Sequence, residues 1–79
     1  MAFRELESVV LRRDLPEHGL RRGDLGAVVM VHKSGALEVE FVRGSGHTQA
    51  VLQLNPSDVR SASDADVIAV RHAGKKTQA

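Results

Sequence analysis

Residues 26–54 read G-A-V-V-M-V-H-K-S-G-A-L-E-V-E-F-V-R-G-S-G-H-T-Q-A-V-L-Q-L. Two turn signals, Lys33-Ser34-Gly35 and Arg43-Gly44-Ser45-Gly46, cut this stretch into three apolar runs. In Ala36–Val42, Leu37, Val39 and Phe41 alternate with Glu38 and Glu40. A period of two puts apolar side chains on one face of a strand and charge on the other. Thr48–Leu54 repeats the pattern, with Ala50, Leu52 and Leu54 on one face and Gln49 and Gln53 on the opposite one. Gly26–His32 is apolar on both faces at its centre, Val28, Val29 and Val31, as a central strand would be. Gly44 and Gly46 are expected to supply the positive φ that a tight hairpin needs. The three runs predict a meander of antiparallel strands.

Outward from the meander, Leu6–Leu11 ends in a β-branched pair and predicts a first strand. The stretch Arg12–Asp24 contains Pro16, Gly19 and Gly23 and has no sustained apolar period, so it predicts one long excursion loop. Loops of that length in small domains often carry function. On the C-terminal side, Asn55-Pro56-Ser57-Asp58 predicts a 3-10 turn that Asn55 can cap, and Val59-Arg60 a brief return to extended chain. After Ser63-Asp64-Ala65-Asp66, the β-branched Val67–Val70 favours a last strand over a short capped helix. Residues 73–79 have nothing to bury and are expected to be disordered, leaving 1–72 as a single domain. Strand, long loop, meander, 3-10 turn and final strand make the order of an all-β, SH3-like small barrel of five to six strands.

Composition narrows the function classes. A chain of 79 residues holds one domain and has few residues to spare for a deep catalytic cleft. With no cysteine it can form neither disulfides nor zinc–thiolate sites. Phe3 and Phe41 are the only aromatics, which weakens base-stacking, sugar-binding and proline-rich-peptide readings. The net charge of +1 predicts no strong general attraction to nucleic acid or membrane. The longest apolar run, Ala27–Val31, is far too short to span a bilayer, and residues 1–7 lack the pattern of a signal peptide. The expectation is a cytoplasmic protein with no membrane contact and no cofactor.

Two patterns carry resemblances. Arg21–Val31, R-R-G-D-L-G-A-V-V-M-V, resembles the Gly-Asp-x-Gly-x-Val core of KOW-type and nitrile-hydratase-type SH3-like barrels. There Gly26 would sit where the loop turns tightly into the strand and a side chain would clash. A longer pattern runs from Phe3-x-Glu5-Leu6 and Val9-Val10-Leu11 through Asp14-Leu15-Pro16-Glu17-His18-Gly19-Leu20 and Gly23-Asp24-x-Gly26. It continues in Glu38-Val39-Glu40-Phe41 and Asp58-Val59-Arg60. It is similar to a bacterial domain-of-unknown-function family of short single-domain proteins. The resemblance implies an SH3-like barrel and no established activity. Members of that family resemble small genes found beside toxin-like or mobile-element genes, which implies an antitoxin or immunity role.

Asp14, Glu17 and His18 form an acid–acid–imidazole set that could hold a divalent ion. The plainer reading is that the two carboxylates accept backbone N–H groups and shape the loop. His18, His32, His47 and His72 lack ligand spacing, so no metal is expected. Gly44-Ser45-Gly46 is a turn and not a nucleophile elbow, and no enzyme motif is present. Arg12-Arg13 and Arg21-Arg22 bracket the long loop, with Asp14, Glu17 and Asp24 available to neutralise them. The leading expectation is a non-enzymatic protein-interaction module, an antitoxin- or immunity-type inhibitor of a toxin or enzyme encoded nearby. Its contacts would be Arg12, Arg13, Glu17, His18, Arg21, Arg22, Arg43 and His47, with the Lys33–Gly35 turn joining them at one rim. The alternative is a KOW-like module binding nucleic acid weakly through Arg12, Arg13, Arg21, Arg22 and Arg43. Oligomeric state is open at this level.

Overall fold

The period-two segments form strands in the computed structural model, which describes residues 3–73. The strands are β1 (Ser8–Leu11), β2 (Leu25–Val31), β3 (Leu37–Val42), β4 (Thr48–Leu54) and β5 (Val59–Ser61). All pairings are antiparallel, in the order β4-β3-β2-β1-β5. The sheet is therefore open, with β4 and β5 as its edges. Two 3-10 turns interrupt it, the expected one at Pro56–Asp58 and a second at Pro16–His18 inside the long loop.

β2 bonds to β1 through Leu25–Ala27 and to β3 through Ala27–Val31, so each half serves a different neighbour. A bulge at Val29 breaks the register between Val28 and Met30 and increases local bend and twist. Val28 is buried while Val29, Met30 and Val31 are exposed. The expected two-sided burial of β2 does not occur, because no second layer covers the outer face of the sheet there. At the concave face, Val9, Leu11, Val28, Leu37, Val39, Phe41, Leu54 and Val59 form one core.

Gly26 lies on β2 beside the core side chains of the neighbouring β3. A Cβ there would stand 2.7 Å from a Phe41 ring carbon, 2.8 Å from a Val39 methyl and 3.0 Å from the Glu40 carbonyl oxygen. The glycine is required, though the clash comes from core side chains of the neighbouring β3 and falls within β2.

The long loop is better ordered than its composition suggests. Leu11 accepts from the Gly23 N–H and donates to the Asp24 carbonyl, and Leu15 and Leu20 bond each other through both backbone groups at 3.0 and 3.1 Å. The loop is thus a small hairpin whose tip is the Pro16–His18 turn, ended by Gly19 at φ 69°. Leu15 and Leu20 are 3% and 4% exposed and belong to the core. They close the end of the curled sheet. Their spacing of five carries neither helical nor strand periodicity, so a pattern search passes over them.

Three local expectations are corrected. β1 starts at Ser8, because Leu6 turns into the left-handed region at φ 69° although its N–H still reaches the Val28 carbonyl. In the β3–β4 turn, positive φ falls on Gly46 (92°) and not on Gly44. Val67–Val70 is not a strand: the segment passes outside the sheet and pairs with no strand among the described residues. The expected disordered tail, apart from Ala73, lies outside the described residues.

Two substitutions test this packing. Gly26→Ala should destabilise the domain by about 1–3 kcal/mol, because Phe41 and Val39 must move. Leu20→Ala should cost about 2–4 kcal/mol as a core truncation, whereas an ordinary surface loop would tolerate it. Urea unfolding of both variants measures the difference.

Candidate functional site

β2 begins and β3 ends at the same end of the sheet, so the loop hairpin meets the β3–β4 turn. The Lys33–Gly35 turn joins β2 to β3 at the opposite end, one strand length or roughly 20 Å away. Of the three elements expected at one rim, two meet and the Lys33–Gly35 turn does not, because successive antiparallel turns alternate ends.

The contact between the two elements runs through Gln49, a residue assigned by alternation to the solvent face. It is 4% exposed. β4 carries one extra residue between the Phe41–Ala50 and Val42–Thr48 pairs, and that residue is Gln49. A bulge turns two successive side chains to the same side, so Gln49 enters beside Ala50. Its Nε2 donates to the His18 carbonyl at 3.0 Å, and its Oε1 accepts from Arg43 Nε at 2.6 Å. The loop tip and the Arg43 side chain are tied by one buried amide. Gly19 permits this approach, since a Cβ there would stand 2.8 Å from Gln49 Nε2. His47 sits in the adjacent turn, exposed, with its Nδ1 3.0 Å from Ser45 Oγ.

The two arginine pairs occupy facing legs of the hairpin. Arg13 Nε donates to Asp58 Oδ1 at 2.9 Å, and the Arg12 N–H donates to the Asp58 carbonyl. The other oxygen of Asp58 accepts from the Asn55 N–H at 2.9 Å, closing the second 3-10 turn. Asp14 accepts from the Arg22 N–H and Asp24 from the Arg21 N–H, both at 2.8 Å. These carboxylates hold the backbone of the arginine leg, the shaping role expected of Asp14. Glu17 is exposed, and its side chain forms no hydrogen bond among the described residues. The guanidinium groups of Arg12, Arg21 and Arg22 are exposed and enter no ion pair among the described residues.

The expected neutralisation of the loop by Asp24 takes another course. Arg71 grips both oxygens of Asp24, Nε to Oδ1 at 2.9 Å and Nη2 to Oδ2 at 2.5 Å, and also donates to the Gly19 carbonyl at 3.0 Å. Arg71 comes from the segment after β5, which closes a cleft of about 490 Å³ against Leu20, Leu25, Phe41, Val42 and Gln49. Nothing in the first twenty-five residues of the sequence signals that partner. Asp14, Glu17 and His18 do not gather around one point: among the described residues no three acidic or histidine side chains are placed to share a metal ion. Nor is any helix among them long and apolar enough to cross a membrane.

Burial works against the charged forms of Asp24 and Asp58, but Arg71 with the Arg21 N–H, and Arg13 with the Asn55 N–H, outweigh it. Both carboxyls are held below their ordinary value. A carboxyl lowered by folding contributes full stability above its unfolded pKa, about 4, and loses it as pH falls further. Thermal melting should therefore show stability falling as pH drops below about 4. In Asp24→Asn that acid-side slope should be shallower. Gln49→Leu, which strands the His18 carbonyl and Arg43, should destabilise by about 1–3 kcal/mol.

Comparison with curated proteins and with solved structures gives no match. Residues 5–61, from the turn before β1 to the end of β5, match the profile of a domain of unknown function, DUF4926. The matched span contains the whole sheet, the loop hairpin and Gln49, and it stops before the segment that carries Arg71. That is more than half of the chain, and this protein belongs to the DUF4926 family.

Proposed function

We propose that this domain is an SH3-like small barrel that works as a non-enzymatic, cytoplasmic protein-interaction module. On this reading it is an antitoxin- or immunity-type inhibitor of a protein encoded nearby. The observation that supports it most is the loop hairpin, in which buried leucines fix the base while the charges face out. Leu15 and Leu20 are core residues, and Gln49 bonds the tip, so little ordering entropy is lost when a partner docks. Arg12, Arg21 and Arg22 present guanidinium groups that form no ion pair with a carboxylate among the described residues. Glu17, His18, Arg13, Arg43 and His47 flank them at the same end of the sheet. A partner of matching chemistry offers carboxylates to planar, forked donors.

The same three arginines favour one second reading, a KOW-like module that holds nucleic acid by phosphate contacts. The surface has no exposed aromatic for stacking, which ranks this reading second.

Affinity capture from the native host should recover one stoichiometric protein, and Arg21→Glu with Arg22→Glu should abolish its recovery. Capture of no stoichiometric protein by the folded wild type overturns the leading reading. Filter binding with generic RNA and DNA at 50 and 200 mM salt decides the second. Salt-dependent retention at tens of micromolar, lost in the double variant, supports it; no retention removes it.

A further inference from the structure

Asp24 closes the turn that begins at Arg21. Its N–H donates to the Arg21 carbonyl at 3.0 Å, and its Oδ2 accepts from the Arg21 N–H at 2.8 Å. The carboxylate is near enough for the charge of Arg21 to act on it as well, after burial and the stronger hold of Arg71. Yet the exposed Arg21 guanidinium forms no ion pair among the described residues. Arg71 has taken its place, with Nε on Oδ1, Nη2 on Oδ2, and Nη2 also on the Gly19 carbonyl. That pair is sheltered, with side chains 29% and 18% exposed. A fork on both carboxylate oxygens outcompetes one flexible arginine in water. The charge of Asp14, which holds the Arg22 N–H, acts on Arg71 too, after that of Asp24.

Arg71 is carried by a segment that follows β5 and lies beyond the matched residues 5–61. Asp66 pins the start of that segment to Arg60. Val67, Ile68 and Val70 are largely exposed, so apolar burial adds little to its hold. Among the described residues, every hydrogen bond from residues 62–73 to the loop hairpin is made by Arg71. Whether Asp24 is occupied therefore depends on where one side chain of this segment sits.

We propose that Arg71 is a positioning residue for the arginine surface: by occupying Asp24 it keeps the Arg21 guanidinium unpaired and open to an acidic protein partner. When the segment after β5 lets go, Asp24 is free to pair with Arg21 on its own turn, and the surface loses a donor. The segment is thus a strap whose closed position holds the hairpin ready and whose release masks it. The strap deepens the reading of the hairpin as a partner site and rests on it. Its first step, the choice of Asp24 between Arg71 and Arg21, is a property of the free protein and is measured without any partner.

Two measurements on the full chain test this, with circular dichroism melts to confirm that each variant is folded. The first follows the Arg21 Nε–H signal by NMR. It should exchange freely with water in wild type, become protected in Arg71→Met, and be free again in Arg71→Met with Asp24→Asn. Should Arg71→Met fail to fold, Arg71→Lys, which keeps the charge and loses the fork, should shift the signal in the same direction. An Arg21 signal that no Arg71 variant moves overturns the proposal. The second measures anisotropy of a fluorescein-labelled hexaglutamate peptide at 50 mM salt. Arg71→Met should bind it about two- to fivefold more weakly, the reach of one exposed ion pair, and adding Asp24→Asn should restore binding. Adding Asp64→Asn restores the same net charge away from Asp24 and should not rescue. Rescue by Asp64→Asn means that net charge alone acts, and no rescue by Asp24→Asn means that Arg71 only holds the strap in place; either result overturns the proposal. Wild type that ignores the peptide counts against the partner reading, and the Arg21 signal still decides what Arg71 does.

Discussion

Gly26 has no room for a side chain, and the shape of the domain follows from that. Phe41 and Val39 lean onto its backbone at distances no Cβ would survive. That contact lets β2 bond β1 with one half and β3 with the other while the sheet curls between them. Curling brings the β1 and β3 walls around one core of valines, leucines and Phe41. It also leaves an open end, which Leu15 and Leu20 fill from a hairpin that is otherwise polar. The candidate site is the outer surface of that plug.

A single bulge then decides how the site is assembled. With regular alternation Gln49 would face water, and the loop tip would touch β4 only through backbone. Because β4 carries one extra residue, the amide turns inward and satisfies both the His18 carbonyl and Arg43. A buried amide without partners costs about 1–3 kcal/mol. The same group with two partners fixes the position of the hairpin relative to the β3–β4 turn. Carboxylates reinforce this by binding backbone: Asp14 and Asp24 hold the arginine leg through its N–H groups and leave the guanidinium groups of Arg21 and Arg22 outward.

Segments outside the family match act on the site as well. Arg71 lies beyond residue 61, yet it takes the two oxygens of Asp24 and the carbonyl of Gly19. The charge that sequence proximity assigns to the loop arginines is spent on a residue far along the chain. Arg12, Arg21 and Arg22 are more available than a charge count over Arg12–Asp24 implies.

The amino-acid sequence by itself determined the strands of the meander, their turns and the second 3-10 turn. These follow from local periodicity, from β-branched content and from the few residues that accept tight backbone. It did not determine the bulges at Val29 and Gln49, the burial of Leu15 and Leu20, or the pairing of Arg71 with Asp24. Each of those depends on which segments meet across the fold, and period-two alternation holds no information about where a register slips. Val67–Val70 shows the difference most plainly. Its composition is that of a strand, but a strand exists only against a neighbour's edge, and the tertiary structure supplies none among the described residues.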